Sequence, residues 1–452
     1  MIKGIADLLT EPAITLGIVA LLGLLLQRKE LTEVVKGTSK TILGILILTA
    51  GTGLIAENLE PFSAMFTEAF NLNGVVPVDE AVVAELISNV AEIGRMTSFI
   101  LLFGFLINIL LARITPFKYI FLTGHMLWIT AGFLAWAFHD LGVSETHGII
   151  FGSIIAGMVY LLLPAISQPI VRKLTGNNQL AYGHLTTTGV VASAYVGKLF
   201  GNKEKSSEDI QLPEKLSFFK DTAVSVSLVM LIIYLVTAIA AGPDVVGPLA
   251  GGQNYLVFSF LSALGFAAGV LVLLQGVRMF LGEIVPAFRG IALKLVPGAK
   301  PALDAPIFFA YAPNALMLGF IFAVVGMIIG MFVSTTFGGV VPLPSIIGGF
   351  FTGGIAGIFG NTLGGRRGAI ISGIVYGLIL TIPVALFYPL FGLEIYGVEG
   401  LAFLVPDGIV VMTLIKLFFK LDIPIVGLVL AIIVFILVSV YFARKKKQSN
   451  ES

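Results

Sequence analysis

The chain has 452 residues, of which 57% are apolar and only 12% charged, with a net charge of +1 and a mean hydropathy of +1.01. A soluble protein of this size cannot keep so much apolar surface out of water, so the composition places the chain in a bilayer, and its near-neutral charge excludes nucleic acid as a partner. Cys is absent, which excludes disulfides, iron–sulfur clusters, thiolate zinc and any step through a cysteine; with four His scattered along the chain, neither a metal site nor a cofactor is expected.

A spanning helix needs roughly 20 apolar residues. Apolar runs at about 13–27, 40–56, 97–112, 119–138, 147–168, 222–242, 255–275, 306–333, 342–361, 369–391 and 424–443 predict eleven crossings. The fold class is therefore an all-α polytopic membrane protein. The first run lacks the basic lead of a cleavable signal and reads as a retained span. Lys and Arg cluster after run one (Arg28 to Lys40), after run three (Arg113, Lys118) and after run five (Arg172 to Lys220). They cluster again after run seven (Arg278 to Lys300), after run nine (Arg366, Arg367) and in the tail (Arg444 to Lys447). Each cluster follows an odd-numbered run, so the N-terminus is expected outside and the C-terminus in the cytoplasm. Lys416 and Lys420 break this order, because 408–423 falls on the outer side, and that segment reads as re-entrant or interfacial.

Runs six to ten repeat runs one to five from the opposite side of the membrane. The expected organisation is a first inverted repeat at 1–200, a charged cytoplasmic linker at 201–220, a second repeat at 221–420, and a last helix with a basic tail at 421–452. The linker is the most exposed place for a soluble partner to dock. Both repeats place a Pro-containing amphipathic stretch before a Gly…Pro…Asp unit, Gly74 to Asp79 in one and Gly298 to Asp304 in the other. Such repeats mark transporters whose ligand sits near the midplane. Asp79 and Asp304 then lead into the third span of each half, as ligand-facing groups or as caps of the helices that follow.

Ionisable groups inside apolar runs are costly and point to function. In Leu122-Thr-Gly-His125-Met-Leu-Trp128, an imidazole and an indole open run four after a Gly. That mixture suits a sugar-like ligand, the alternative being a His that bonds a neighbouring helix. Tyr182-Gly-His184-Leu185-Thr-Thr-Thr starts a stretch, 181–200, too short and polar to span. It reads either as a re-entrant hairpin carrying ligand groups or as a cytoplasmic loop. Tyr311-Ala-Pro-Asn314 breaks run eight near its start and is expected to expose backbone carbonyls there. His139 and His147 flank an outer loop and are expected in solvent. No phosphate-binding loop, nucleophile elbow or His-Glu-x-x-His pair is present.

Leu122-Thr-Gly-His125, Tyr182-Gly-His184, Gln275-Gly-Val-Arg-Met-Phe280, Pro297-Gly298, Asp304 and Ala312-Pro-Asn-Ala315 stand in an order that resembles the ascorbate-type IIC component of the bacterial phosphotransferase system. The resemblance runs from Val35 to the last span. It implies a homodimeric permease in the bacterial inner membrane, with a dimerising V-shaped domain and a core that carries the sugar in an elevator-like movement. It implies that the chain is not itself an enzyme, since phosphorylation falls to a separate IIB protein charged by IIA. The missing Cys fits, because the phosphocysteine belongs to IIB. The substrate-binding residues it implies are Asp79, Glu80, His125, Met126, Leu127, Trp128, Ile129, His184, Leu185 and Asp304. The family pattern has Gln where this chain has Ile129 and Leu185, so L-ascorbate competes with a related sugar acid or polyol as the expected substrate. A secondary transporter driven by H⁺ or Na⁺ is the alternative function, and a channel or scaffold the third.

Overall fold

Apolar runs broken by Gly and Pro fold into helices of very unequal length. The structure is a computed structural model that describes residues 12–209 and 222–419 and scattered positions from 427 to 441. Most of the expected last span at 424–443, the basic tail and linker residues 210–220 lie outside the described residues. In the first half, α1 (Pro12–Leu26) and α2 (Leu31–Phe70) lead through β1 (Asn73–Pro77) to α3 (Asp79–Asn89) and α4 (Ala91–Ile114). Next come β2 (Tyr119–Phe121), α5 (Gly124–Asp140), α6 (Glu145–Thr175), β3 (Ala181–Tyr182) and α7 (Thr187–Phe200). The second half holds α8 (Thr222–Ala241), α9 (Pro243–Leu249), α10 (Tyr255–Leu295), β4 (Lys300–Leu303), α11 (Pro306–Phe309), α12 (Pro313–Ser334) and β5 (Val340–Pro342). A π-turn at Gly349–Gly353 then enters α13 (Gly354–Phe391), followed by β6 (Leu401–Ala402) and α14 (Pro406–Phe419).

Among the described residues, five helices are long and apolar enough to cross a membrane: Ala91–Ile114, Glu145–Thr175, Tyr255–Leu273, Pro313–Phe337 and Gly349–Phe391. A sixth is added if Met230–Ala241 and Pro243–Leu249, bent by 117°, count as one broken span. Among the described residues, not every one of the expected eleven runs forms a helix of that length. Run four, for example, is β2 followed by the 17-residue α5, which is buried along nearly its whole length. On α4, by contrast, Phe99, Phe103, Leu106 and Leu110 form an exposed apolar stripe at helical spacing, the pattern of a face turned to lipid.

Small residues set the close helix contacts. Gly319 of α12 lies against Gly353 and Gly357, where any side chain would collide with backbone. This is the small-xxx-small packing of membrane helices. The kink at Gly365 (φ 63°) needs glycine, and it divides α13 where the sequence separates runs nine and ten. Helices α1, α2, α8, α9 and α10 pack chiefly on one another, while α3 to α7 and α11 to α14 form the other group. Lys40 of α2 pairs with Glu283 of α10 at 2.9 Å inside the first group. Helices α2 and α10 have 40 and 41 residues. At 1.5 Å per residue that is roughly 60 Å, about twice the hydrocarbon thickness, so neither can lie wholly within the bilayer along its normal.

Two three-stranded parallel sheets organise the second group. In one, β1 lies between β5 and β6; in the other, β4 lies between β2 and β3. Each sheet thus takes its central strand from one half of the chain and both flanking strands from the other. The start of the expected linker is docked. Arg366 N donates to Lys205 O at 2.7 Å and Ser207 N to Asn361 Oδ1 at 2.9 Å. Glu208 accepts from Asn314 N at 3.1 Å and Ala315 N at 2.9 Å. The break at Tyr311–Asn314 therefore presents N–H groups, which an acidic side chain satisfies at a helix N-terminus.

Candidate functional site

Parallel strands of one sheet end at the same edge, so residues just past their C-terminal ends are brought together. In the β2–β4–β3 sheet the register pairs Phe121 with Ala302 and Tyr182 with Leu303. His125 follows β2 on the first turn of α5, His184 follows β3, and Asp304 follows β4 directly. Asp304 Oδ2 lies 3.7 Å from His125 Nδ1, and Oδ1 lies 3.9 Å from His184 Nε2. These separations are too long for direct hydrogen bonds and leave the facing atoms able to share a third group. The three also form the one set of His and carboxylate ligand atoms among the described residues that lie within 4.8 Å of one another, in a chain where composition predicts no metal site.

Each member is held from behind. Thr186 Oγ1 is 2.9 Å from His184 Nδ1 and 3.1 Å from the Tyr182 hydroxyl, so Nε2 is the imidazole atom left to face Asp304. The Tyr182 ring stacks on His184 with centroids 5.8 Å apart. Thr123 donates to Gly183 O, tying the entry of α5 to β3. Asp304 is anchored by Ala305 N, which donates to Oδ1 at 2.7 Å.

The other sheet delivers the facing wall. Asp79 follows β1, is buried, and accepts from Leu404 N at 2.8 Å and Val405 N at 3.2 Å through Oδ1. It therefore ties down the chain between β6 and α14 and does not simply cap its own helix. In a reciprocal contact, Asp407 at the start of α14 accepts from Thr188 N at 3.2 Å and from the Thr188 hydroxyl, while Asp407 N donates to Leu185 O. The tips of the 181–200 and 401–419 segments are thereby locked together.

Between the two sets of strand ends lies a cavity of about 250 Å³. Asp79, Glu80, His125, Met126, His184 and Asp304, six of the ten site residues expected from the sequence, line it. Leu127, Trp128, Ile129 and Leu185 do not; they are buried in the apolar core behind it. Thr186, within the stretch read as a hairpin carrying ligand groups but not itself named, also lines the cavity, and sequence reasoning missed Ser345, Thr352 and Arg278, which line it too. Ser345 and Thr352 carried the signal of hydroxyls within an apolar run. Arg278 stood in the sequence as a topological charge and within the Gln275–Phe280 motif, without being assigned to the site. Carboxylates, imidazoles, hydroxyls and a guanidinium beside Met126, Ile347 and Phe351 make a small polar chamber with apolar patches, suited to a compact polyhydroxylated ligand.

The model of the family EIIC-GAT, described as "PTS system sugar-specific permease component", matches residues 7–407. The chain belongs to this family. Its members are permease components of a sugar phosphotransferase system, and this EIIC chain is a membrane permease unit of that kind. It is also similar to the "Ascorbate-specific PTS system EIIC component" of Mycoplasma pneumoniae, with 25% identity over an alignment of 430 positions that covers 84% of this chain. The chain spans 65% of the length of that relative.

Proposed function

We propose that this EIIC chain translocates L-ascorbate or a closely related sugar acid, which separate IIB and IIA proteins phosphorylate at the cytoplasmic face. The observation that carries the reading is the convergence of His125, His184 and Asp304 on one cavity from the ends of three strands. The family match supports the permease class, and the similarity to an ascorbate-specific relative supports the substrate. In this reading all ten residues named from the sequence serve the site, with Leu127, Trp128, Ile129 and Leu185 shaping it from behind.

The architecture that goes with it is a homodimer in a bacterial inner membrane, with eleven crossings, two inverted repeats and re-entrant segments around 181–200 and 401–419. The exchange of strands between halves, with β1 corresponding to β4, supports the repeats. The division into two helix groups, one of which holds nearly all of the cavity wall, supports an elevator-type movement.

Uptake into cells with and without the IIB partner, using a panel of labelled sugar acids, tests the coupling. The expected result is accumulation of phosphorylated L-ascorbate only when IIB is present. Accumulation of unmodified substrate in vesicles lacking IIA and IIB would instead make the chain an ion-coupled secondary transporter. Orientation has its own check in this Cys-free chain. Lys205→Cys, at an exposed position, should resist an impermeant reagent applied to intact cells and react in inverted vesicles. Labelling from outside would reverse the topology.

A further inference from the structure

The cavity wall has one member that does not belong with the others. Every lining residue but one comes from the strand ends and helices of the second group; Arg278 comes from α10, in the group formed by α1, α2 and α8 to α10. Among the described residues it is also the cavity's only Lys or Arg, in a wall that contains three carboxylates, those of Asp79, Glu80 and Asp304. Among the described residues Arg278 has neither an ion-pair partner nor a side-chain hydrogen bond, and it is exposed. Three other helix cations, by contrast, are paired: Arg95 with Glu145 by a two-pronged contact at 2.9 Å, Lys40 with Glu283, and Lys416 with Asp140.

A free guanidinium at the edge of a carboxylate-lined cavity has a specific chemical consequence. Three acidic groups repel an anionic ligand, whereas a neutral sugar needs only hydroxyl partners, which the His, Thr and carboxylate groups already supply. A sugar acid, or L-ascorbate with its ionised enediol, brings a negative charge that needs a counter-charge when water is displaced. Arginine meets that need with a planar fork of donors that pairs with two oxygens at once and stays charged at any accessible pH.

We propose that Arg278 is the residue that selects an anionic ligand over an uncharged sugar, reaching the cavity from a helix outside the group that builds the rest of its wall. The assignment rests on the reading of this cavity as a sugar-acid site. It separates two tasks within that site. His125, His184 and Asp304 recognise hydroxyls, and Arg278 reads charge.

The experiment measures equilibrium binding of labelled L-ascorbate to the purified full chain, with 3-O-methyl-L-ascorbate as an uncharged competitor. Wild type, Arg278→Gln and Arg278→Lys are compared, each checked for a native size-exclusion profile; the exposed position makes loss of folding an unexpected outcome. Arg278→Gln is expected to weaken ascorbate binding by about tenfold, the scale of one charge-assisted contact. It should bind the uncharged analogue as wild type does, so that the preference for the anion disappears. Arg278→Lys should recover part of that preference, which a merely structural role would not predict. Unchanged affinity and preference in Arg278→Gln would overturn the assignment alone. A wild-type protein that binds neither compound would overturn the sugar-acid reading, and the assignment with it.

Discussion

Asp304→Asn is expected to weaken ligand binding by one to two orders of magnitude without unfolding the protein. Its carboxylate faces both His125 and His184 at 3.7 and 3.9 Å, and at 35% side-chain exposure it is the most open member of the trio. A ligand hydroxyl between these groups accepts from an imidazole and donates to the carboxylate. Losing one charge-assisted bond to a bound ligand costs about 1.5–3 kcal/mol, roughly ten- to a hundredfold in affinity. His184→Ala should cause a loss of the same order, because Thr186 holds Nδ1 and leaves Nε2 for the ligand. Isothermal titration of both variants with L-ascorbate checks this. Wild-type affinity in both would remove them from the site and leave Asp304 as a turn-forming residue bound to Ala305 N.

The second large effect involves no residue of the cavity wall and is one of stability. Lys416 of α14 is 6% exposed, and its ammonium lies 2.7 Å from Asp140 Oδ2 at the end of α5. It also donates to Leu390 O at 2.8 Å and sits 4.6 Å over the Trp136 ring, while the Tyr396 hydroxyl donates to Asp140 Oδ1 at 2.9 Å. Removing one partner of such a pair strands a buried charge, at a cost of about 3–5 kcal/mol. Asp140→Asn should therefore lower the thermal unfolding midpoint sharply. Asp140→Asn combined with Lys416→Met should restore much of the loss, because no unpaired charge remains. Equal midpoints for wild type and Asp140→Asn would mean that the pair contributes nothing to holding α14 on α5.

This pair also shows where sequence reading stops. Lys416 looked like a violation of the charge alternation, and a topological rule has no access to its partner 276 positions upstream. The membrane class, the helical content and the placing of His125, His184 and Asp304 were legible, because composition and misplaced polar groups report the environment each residue must satisfy. The match of Gly74–Asp79 to Gly298–Asp304 was visible as well, and both units prove to be a strand running into an acidic residue. The strands themselves were not legible. Segments such as Ala181–Tyr182 and Leu401–Ala402 are two residues long and apolar on both faces, so they show no alternation to separate them from helix. Short buried helices fail a span count for a related reason. The 11-residue α3 lies within a region, 57–94, that reads as an outer loop, yet seven of its residues are buried. Arg278 was visible as a charge but not as a wall of the cavity, since only packing of α10 against the other group brings it there.

In the proposed function a small sugar acid binds where the ends of the two sheets face each other. An experimental structure of the full chain with L-ascorbate bound tests it most directly. Ligand density is expected in the 250 Å³ cavity, with oxygens within hydrogen-bond distance of His184 Nε2 and the Asp304 carboxylate and an ionised oxygen toward Arg278. Density at any other place in the protein, with this cavity left to water, would contradict it.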